Sequence, residues 1–133
     1  MAGKSNWGEN YDQTFDITNL TTTFSDNSRV ALTPAVIQAF VYIDYTKGNE
    51  DELQVLVEYS PVFDDTSPSN LFFADTISDN DGTTETFIFR FTQSGTFRIP
   101  VQLGESEDRI RVSCRGAGTP PFTGTASLYC SVR

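Results

Sequence analysis

Between Glu85 and Leu103 apolar residues fall at every second position: Phe87, Phe89 and Phe91, then Phe97, Ile99, Val101 and Leu103. A period of two places each set on one face of a strand. The residues between them, Gln93-Ser94-Gly95, carry turn chemistry, and Gly95 suits the left-handed position of a three-residue loop. The pattern predicts a β-hairpin in which Phe91 faces Phe97, Phe89 faces Ile99 and Phe87 faces Val101. A two-residue Ser94-Gly95 turn would set Phe91 against Arg98, so keeping one face apolar selects the longer loop. The same register sets Arg90 opposite Arg98 and Ile88 opposite Pro100. Like charges directly opposite are unfavourable without a partner. The two guanidiniums are either solvated beside a carboxylate or a pair presented to an acidic surface on another chain.

The rest of the chain is patterned in the same way. Thr14 to Leu20, with Phe15 and Ile17, and Arg29 to Leu32 predict strands, separated by a turn at Ser25-Asp26-Asn27-Ser28. Gln38 to Tyr45 is apolar on both faces, which predicts a central strand covered on both sides. Residues 46–52 form its exit loop, and Leu53, Val55, Val57 and Tyr59 alternate along a partner strand. Leu71 to Ala74 is a short apolar strand, followed by a turn over residues 78–82. Ile110, Val112 and Cys114 point inward from the next strand, with Arg109, Arg111 and Arg115 outward. Gly116 to Gly124 reads as an exposed loop tipped by Phe122. Ala126, Leu128, Cys130 and Val132 point inward from the last strand. About nine strands with turn signals between them predict an all-β, two-sheet antiparallel sandwich, jelly-roll or Ig-like, over residues 13–133. Pro100 cannot donate to a ladder, so its strand is an edge or bulged, and open edges invite pairing with another chain.

Residues 1–12 have no period. They are polar and rich in Gly and Asn, broken by Trp7 and Tyr11. This stretch predicts an extended N-terminal arm that needs a holder, with Trp7 and Tyr11 as its anchors on a folded partner.

Composition narrows the function. Eighteen acidic against nine basic residues give a net charge of −9, which argues against nucleic acid as a partner. No apolar run marks a signal peptide or a membrane span. Histidine is absent, which removes the commonest general base and metal ligand together. No Ser or Cys nucleophile can then have a histidine base, and two cysteines without histidine make no zinc site. Cys114 and Cys130 lie on inward phases; they could bridge if adjacent, and the lack of an export signal favours buried thiols. Asp79-Asn80-Asp81-Gly82 resembles half a calcium loop without the later glutamate at the required spacing, so a plain turn is expected. Asp64-Asp65 and Glu50-Asp51-Glu52 could support glycoside hydrolysis only as a fixed pair across a cleft; in loops they read as solvated charge. The chain is therefore expected to have no catalytic, metal or cofactor residues.

One stretch goes beyond fold class. Val41 to Ser60, VYIDYTKGNEDELQVLVEYS, resembles a pattern of small virion proteins of tailed bacteriophages and prophages. In these a strand leads into Tyr-Thr-Lys-Gly and an acidic residue, then an alternating strand ends in Glu-Tyr/Phe-Ser. Tyr45-Thr46-Lys47-Gly48 is the most specific part. The resemblance continues through Phe97-Arg98-Ile99-Pro100, Ile110-Arg111-Val112-Ser113, Ala117-Gly118-Thr119 and the final strand, roughly the last two thirds of the chain. It implies a β-sandwich that decorates or cements a capsid, often as a trimer, and supplies no catalytic residues. Combined with the arm and the arginines, it implies binding to the major capsid protein through Trp7, Tyr11, Arg90, Arg98 and Phe122. The implied location is the virion surface, with host cytoplasm during assembly. The alternative from another class is a carbohydrate-binding or fibre-associated module. That reading needs aromatic side chains aligned on one exposed face, and Trp7, Tyr11 and Phe122 are too scattered to provide it.

Overall fold

The alternating stretches become strands in the computed structural model, which describes residues 13–32, 38–61, 73–78, 84–102 and 107–132. Among these residues the strands are β1 (Gln13–Ile17), β2 (Ser28–Leu32), β3 (Gln38–Thr46), β4 (Glu52–Pro61), β5 (Phe73–Ala74), β6 (Thr76–Ser78), β7 (Thr84–Thr86), β8 (Phe89–Phe91), β9 (Gly95–Gln102), β10 (Glu107–Ala117) and β11 (Thr125–Val132). One antiparallel sheet has the order β1-β11-β3-β9. The other has the order β2-β10-β4-β5, and β8 also pairs with β4. The two enclose one core, with Val41, Ile43, Leu53, Val55, Ile110, Val112, Leu128 and Cys130 buried.

The connections decide which sandwich this is. In each of the successive pairs β1–β2, β3–β4, β8–β9 and β10–β11, one strand lies in each sheet. The register puts all these crossings at one end of the sandwich. Ile17 lies beside Ala126 and Tyr45 beside Gly95 in the first sheet; Leu53 lies beside Phe91 and Ala117 beside Glu52 in the second. This double wrapping is a jelly roll. An Ig-like arrangement, with its ABED and CFG sheets, does not fit the strand order.

The sequence-predicted hairpin is therefore an arch. β8 pairs with β4 and β9 with β3, in opposite sheets. Phe91 and Phe97 do meet, with ring centroids 4.5 Å apart, but they meet through the core instead of along a ladder. Alternation reports which face of a strand points inward; it does not distinguish a neighbour in the same sheet from one across the gap. Sheets stack about 10 Å apart, and the link at residues 92–94 is long enough at about 3.4 Å per residue. Phe89 lies beside Val55, not Ile99. Arg90 lies beside Gln54 and Arg98 beside Tyr42, so the opposed arginine pair does not exist. Likewise β4 crosses to the other sheet and is not the ladder partner of β3.

Other expectations hold. β3 is central, flanked by β11 and β9, and β9, which carries Pro100, is an edge. Ile110, Val112 and Cys114 are buried, as are Ala126, Leu128 and Cys130. Both cysteines are buried and neither is in a disulfide, and burial pushes the Cys114 thiol far up from its ordinary pKa. The arm with Trp7 and Tyr11, the acidic pair Asp64-Asp65 and the Asp79–Gly82 turn lie outside the described residues.

One edge is irregular. β5 lies along β4 at Tyr59 and Glu58, and β8 lies along the same edge at Val55 to Leu53. They are two pieces of one edge strand, interrupted by the antiparallel pair β6–β7. Phe87 N–H donates to the Asp75 carbonyl at 2.8 Å and closes the base of this insertion.

Leu128→Ala, at a fully buried position in the middle of the first sheet, is expected to cost about 2–5 kcal/mol in chemical denaturation. Phe89→Ala should cost less than the roughly 3–5 kcal/mol of a fully buried Phe, because Phe89 is only half-buried. Both thiols should resist alkylation in the native protein and react together on unfolding, which mass spectrometry of the labelled chain reads directly.

Candidate functional site

At the crossing end, the β3–β4 arch (residues 47–51) and the β10–β11 arch (residues 118–124) are tied by a buried carboxylate. Glu50 is 0% exposed. Its Oε2 accepts from the Tyr45 hydroxyl at 2.5 Å and from Gly48 N–H at 2.8 Å, and its Oε1 accepts from Gly124 N–H at 2.9 Å. Asn49 reinforces the tie: its N–H donates to Thr123 Oγ1 at 3.0 Å, its Nδ2 to the Pro121 carbonyl at 3.0 Å, and its Oδ1 accepts from Thr123 N–H at 2.9 Å. Two glycines make room for this. A Cβ on Gly48 would lie 2.1 Å from Thr123 Oγ1, and one on Gly124 would lie 1.9 Å from Glu50 Oε2.

Burial alone would raise the Glu50 pKa. The bonds from Tyr45, Gly48 and Gly124 outweigh it and hold the carboxyl below its ordinary range. Burial and the adjoining carboxylate drive the Tyr45 hydroxyl far up. The pair is thus a locked anion and a locked donor, with neither poised for proton transfer near neutrality. Tyr45-Thr46-Lys47-Gly48, the most specific part of the sequence resemblance, belongs to this structural tie. Glu50, read as solvated charge, is its centre. Phe122, read as an exposed tip, is 8% exposed, with its ring against Gly116.

The two outer faces differ in chemistry. On the β2-β10-β4 sheet, charges are paired. Glu52 accepts from Arg90 Nη1 at 2.5 Å and Gln54 Nε2 at 2.6 Å, Gln54 Oε1 accepts from Arg115 Nε at 2.7 Å, and Arg111 Nε donates to Glu58 at 2.9 Å. Arg115 also lies over the Phe24 ring, 4.2 Å from its centroid. Hydrogen bonding from Gln54 and Arg90 lowers the Glu52 pKa. Arg90 stays exposed but is engaged by a carboxylate of its own domain.

The outer face of β1-β11-β3-β9 is aromatic. Tyr129, Tyr42 and Arg98 lie side by side across β11, β3 and β9, and Phe40 lies beside Pro100 in the next row. Ring centroids are 5.8 Å apart for Tyr42–Tyr129 and 6.4 Å for Phe40–Tyr42. The Arg98 guanidinium sits 5.1 Å from the Phe40 centroid. Phe40, Tyr42 and Tyr129 are half-exposed, so β3 is not fully covered on this side. One row toward the crossing end, Asp16, Ser127, Asp44 and Thr96 face outward. They adjoin a hollow lined by Asp16, Thr18, Asp44, Thr46, Thr125 and Ser127. The aligned aromatics that Trp7, Tyr11 and Phe122 could not supply are therefore present elsewhere. The signal was available: Phe40 and Tyr42 share one phase of β3, and Tyr129 is the aromatic of the outward phase of β11.

A third surface lies at the interrupted edge. Phe73 is 58% and Phe87 36% exposed, on either side of the β6–β7 insertion. Phe87 packs edge-on against Phe89, centroids 4.7 Å apart.

No protein-family model matches the chain, and no curated protein sequence does. Among solved structures, the chain is similar to CorA, a surface-associated copper-binding protein of Methylomicrobium album BG8. The TM-score is 0.52 at 7% identity, with 97% of this chain and 99% of that one covered. This likeness is one of fold. A Kashmir bee virus virion chain has a TM-score of 0.42 at 9% identity, covering 92% of this chain and 71% of that one. A family 16 carbohydrate-binding module has 0.30 at 11%, covering 94% and 70%. The last two scores are too low to add to the fold assignment.

Removing the buried acceptor strands several donors, each costing about 1–3 kcal/mol when left unpaired. Glu50→Ala and Gly124→Ala are each expected to lower the melting temperature sharply, while Asp51→Ala, at an exposed neighbour, should not. A carboxyl held below its ordinary pKa stabilises the fold above its unfolded value of about 4.3 and gives that stability up as pH falls through the lower folded value. Acid titration of wild type should therefore lose stability below that point, and Glu50→Gln should flatten part of the slope.

Proposed function

We propose that this chain is a non-enzymatic virion structural protein that decorates or cements a capsid by binding the major capsid protein. The observation that carries the reading is the interrupted edge, where Phe73 and Phe87 stand exposed beside an inserted pair of short strands. A two-stranded pair is marginal alone, and exposed large aromatics on an acidic chain mark a contact with another macromolecule. The resemblance centred on Tyr45-Thr46-Lys47-Gly48 supports the virion setting. The jelly roll is compatible with it, since coat and lectin domains both use that architecture, although a fold does not by itself assign a function. The absence of histidine and the locked state of Glu50 and Tyr45 support a non-catalytic role.

In this reading the arm, through Trp7 and Tyr11, ties the domain to neighbouring subunits in a trimer on the virion surface. Ordering an arm costs roughly 1–2 kcal/mol per residue, and avidity among the copies of an oligomer offsets it. Net charge of −9 keeps the free protein from associating non-specifically before assembly.

The test is co-sedimentation with empty capsids. The intact chain should bind and raise capsid thermal stability. The double variant Phe73→Ser/Phe87→Ser should keep its fold and lose occupancy. Deletion of residues 1–12 should leave the domain folded and weaken retention. Failure of the intact chain to bind capsids would remove the cement role; undiminished binding by the double variant would move the contact off this edge.

A further inference from the structure

The outer face of β1-β11-β3-β9 lies in the other sheet from the interrupted edge, and its chemistry differs from that of an assembly contact. We propose that it is a binding site for a neutral glycan. Three observations combine here. The first is the cluster of half-exposed rings in which Tyr42 lies 6.4 Å from Phe40 along β3 and 5.8 Å from Tyr129 across to β11, centroid to centroid. That spacing is comparable with the length of one pyranose unit, and the C–H face of a pyranose stacks on an aromatic ring. The second is the adjoining hollow, whose polar lining consists of carboxylates and hydroxyls: Asp16, Asp44, Thr18, Thr46, Thr125 and Ser127. Its volume of about 260 Å³ lies just under the range of roughly 300–1,000 Å³ for sites that enclose a drug-sized ligand. It therefore suits one unit of a longer chain lying across the face. The third is the state of the polar groups. Asp44 accepts one long bond, 3.5 Å, from Thr96 Oγ1, and Arg98 stacks on Phe40 with no carboxylate in ion-pair range among the described residues.

These groups match sugar chemistry. A carboxylate accepts short, charge-assisted bonds from hydroxyls, a guanidinium donates to several oxygens in one plane, and the rings supply the apolar contact. A few placed polar groups on an aromatic floor is the composition of a small-molecule site. Charge selects among glycans. The charged residue types of the hollow are both acidic, Asp16 and Asp44, on a chain of net charge −9, so sulfated or uronate polymers are disfavoured and neutral ones are accepted. The opposite sheet offers no such site, because Arg90, Arg111, Arg115, Glu52 and Glu58 hold one another or their neighbours. The site does not depend on the cement reading, and its test uses no capsid.

The experiment is native affinity electrophoresis of the intact chain in gels containing hydroxyethyl cellulose, arabinoxylan or galactomannan, with alginate as the charged control. Retardation is expected in at least one neutral gel and none in alginate. Tyr42→Ala and Tyr129→Ala should each weaken retention by about tenfold or more, the effect of losing one central contact, while Tyr42→Phe keeps the stacking and most of the retention. Asp44→Ala, at an exposed position, tests the hollow without disturbing the core and decides the matter if a tyrosine variant fails to fold. Free mobility in all three neutral gels overturns the proposal, as does retardation that survives both Tyr129→Ala and Asp44→Ala. Equal retardation in alginate overturns the selection for neutral chains.

Discussion

A buried negative charge with three donors around it sets the geometry of the crossing end. Taking a carboxylate out of water is expensive unless every lone pair that matters is bonded. Glu50 meets that condition only when the end of β3, the turn at Gly48 and the approach to β11 at Gly124 converge. The first two belong to the β3–β4 crossing and the third to the β10–β11 crossing, 74 residues from Glu50 in sequence. Their convergence fixes how β3 leaves one sheet and how β11 enters it, and with them the register of the pair at the centre of that sheet. The glycines follow from the same constraint, since any side chain at Gly48 or Gly124 would occupy the space the carboxylate and its partners need.

With the centre fixed, the outer surfaces can specialise. Among the described residues the five-stranded sheet pairs Arg90 with Glu52 and Arg111 with Glu58, and Arg115 bonds the Gln54 amide. The four-stranded sheet spends its outward positions on rings and on hydroxyl and carboxylate groups with capacity to spare. The edge opposite β2 is broken by an insertion that leaves two phenylalanines outside. Each surface occupies positions that the core does not use, so each can change without disturbing the fold.

How much of this was legible beforehand depends on what alternation encodes. Inward phases were readable at Val41, Ile43, Val55, Ile110, Val112 and Leu128, because burial of one face needs only the residue period. The edge position of Pro100 was readable because a missing donor restricts where a strand can sit. The partners of each strand were not readable. Phe91 and Phe97 touch either as ladder neighbours or through the core, and the same residues satisfy both. Glu50 looked like ordinary loop charge because its donors are a nearby tyrosine and two backbone N–H groups, one of them 74 residues away, which leave no trace in composition. Phe122 sat among Gly and Pro and read as exposed, yet the neighbouring Gly116 leaves its ring a seat in the core. The aromatic face was in the sequence as well, hidden because apolar residues on both phases of β3 read as double coverage.

The arch from β8 to β9 has a consequence for crowding. It closes one flank of the sandwich, so that flank carries the edge strands of both sheets. On one of them Pro100 withholds a backbone donor, and on the other the row of ladder positions is cut in two between Ala74 and Phe89. A second molecule seeking to extend either sheet finds no long, regular template there. On this flank, strand addition is blocked by backbone chemistry on one sheet and by an interruption of the ladder on the other, so crowding there brings side chains together before it brings ladders together.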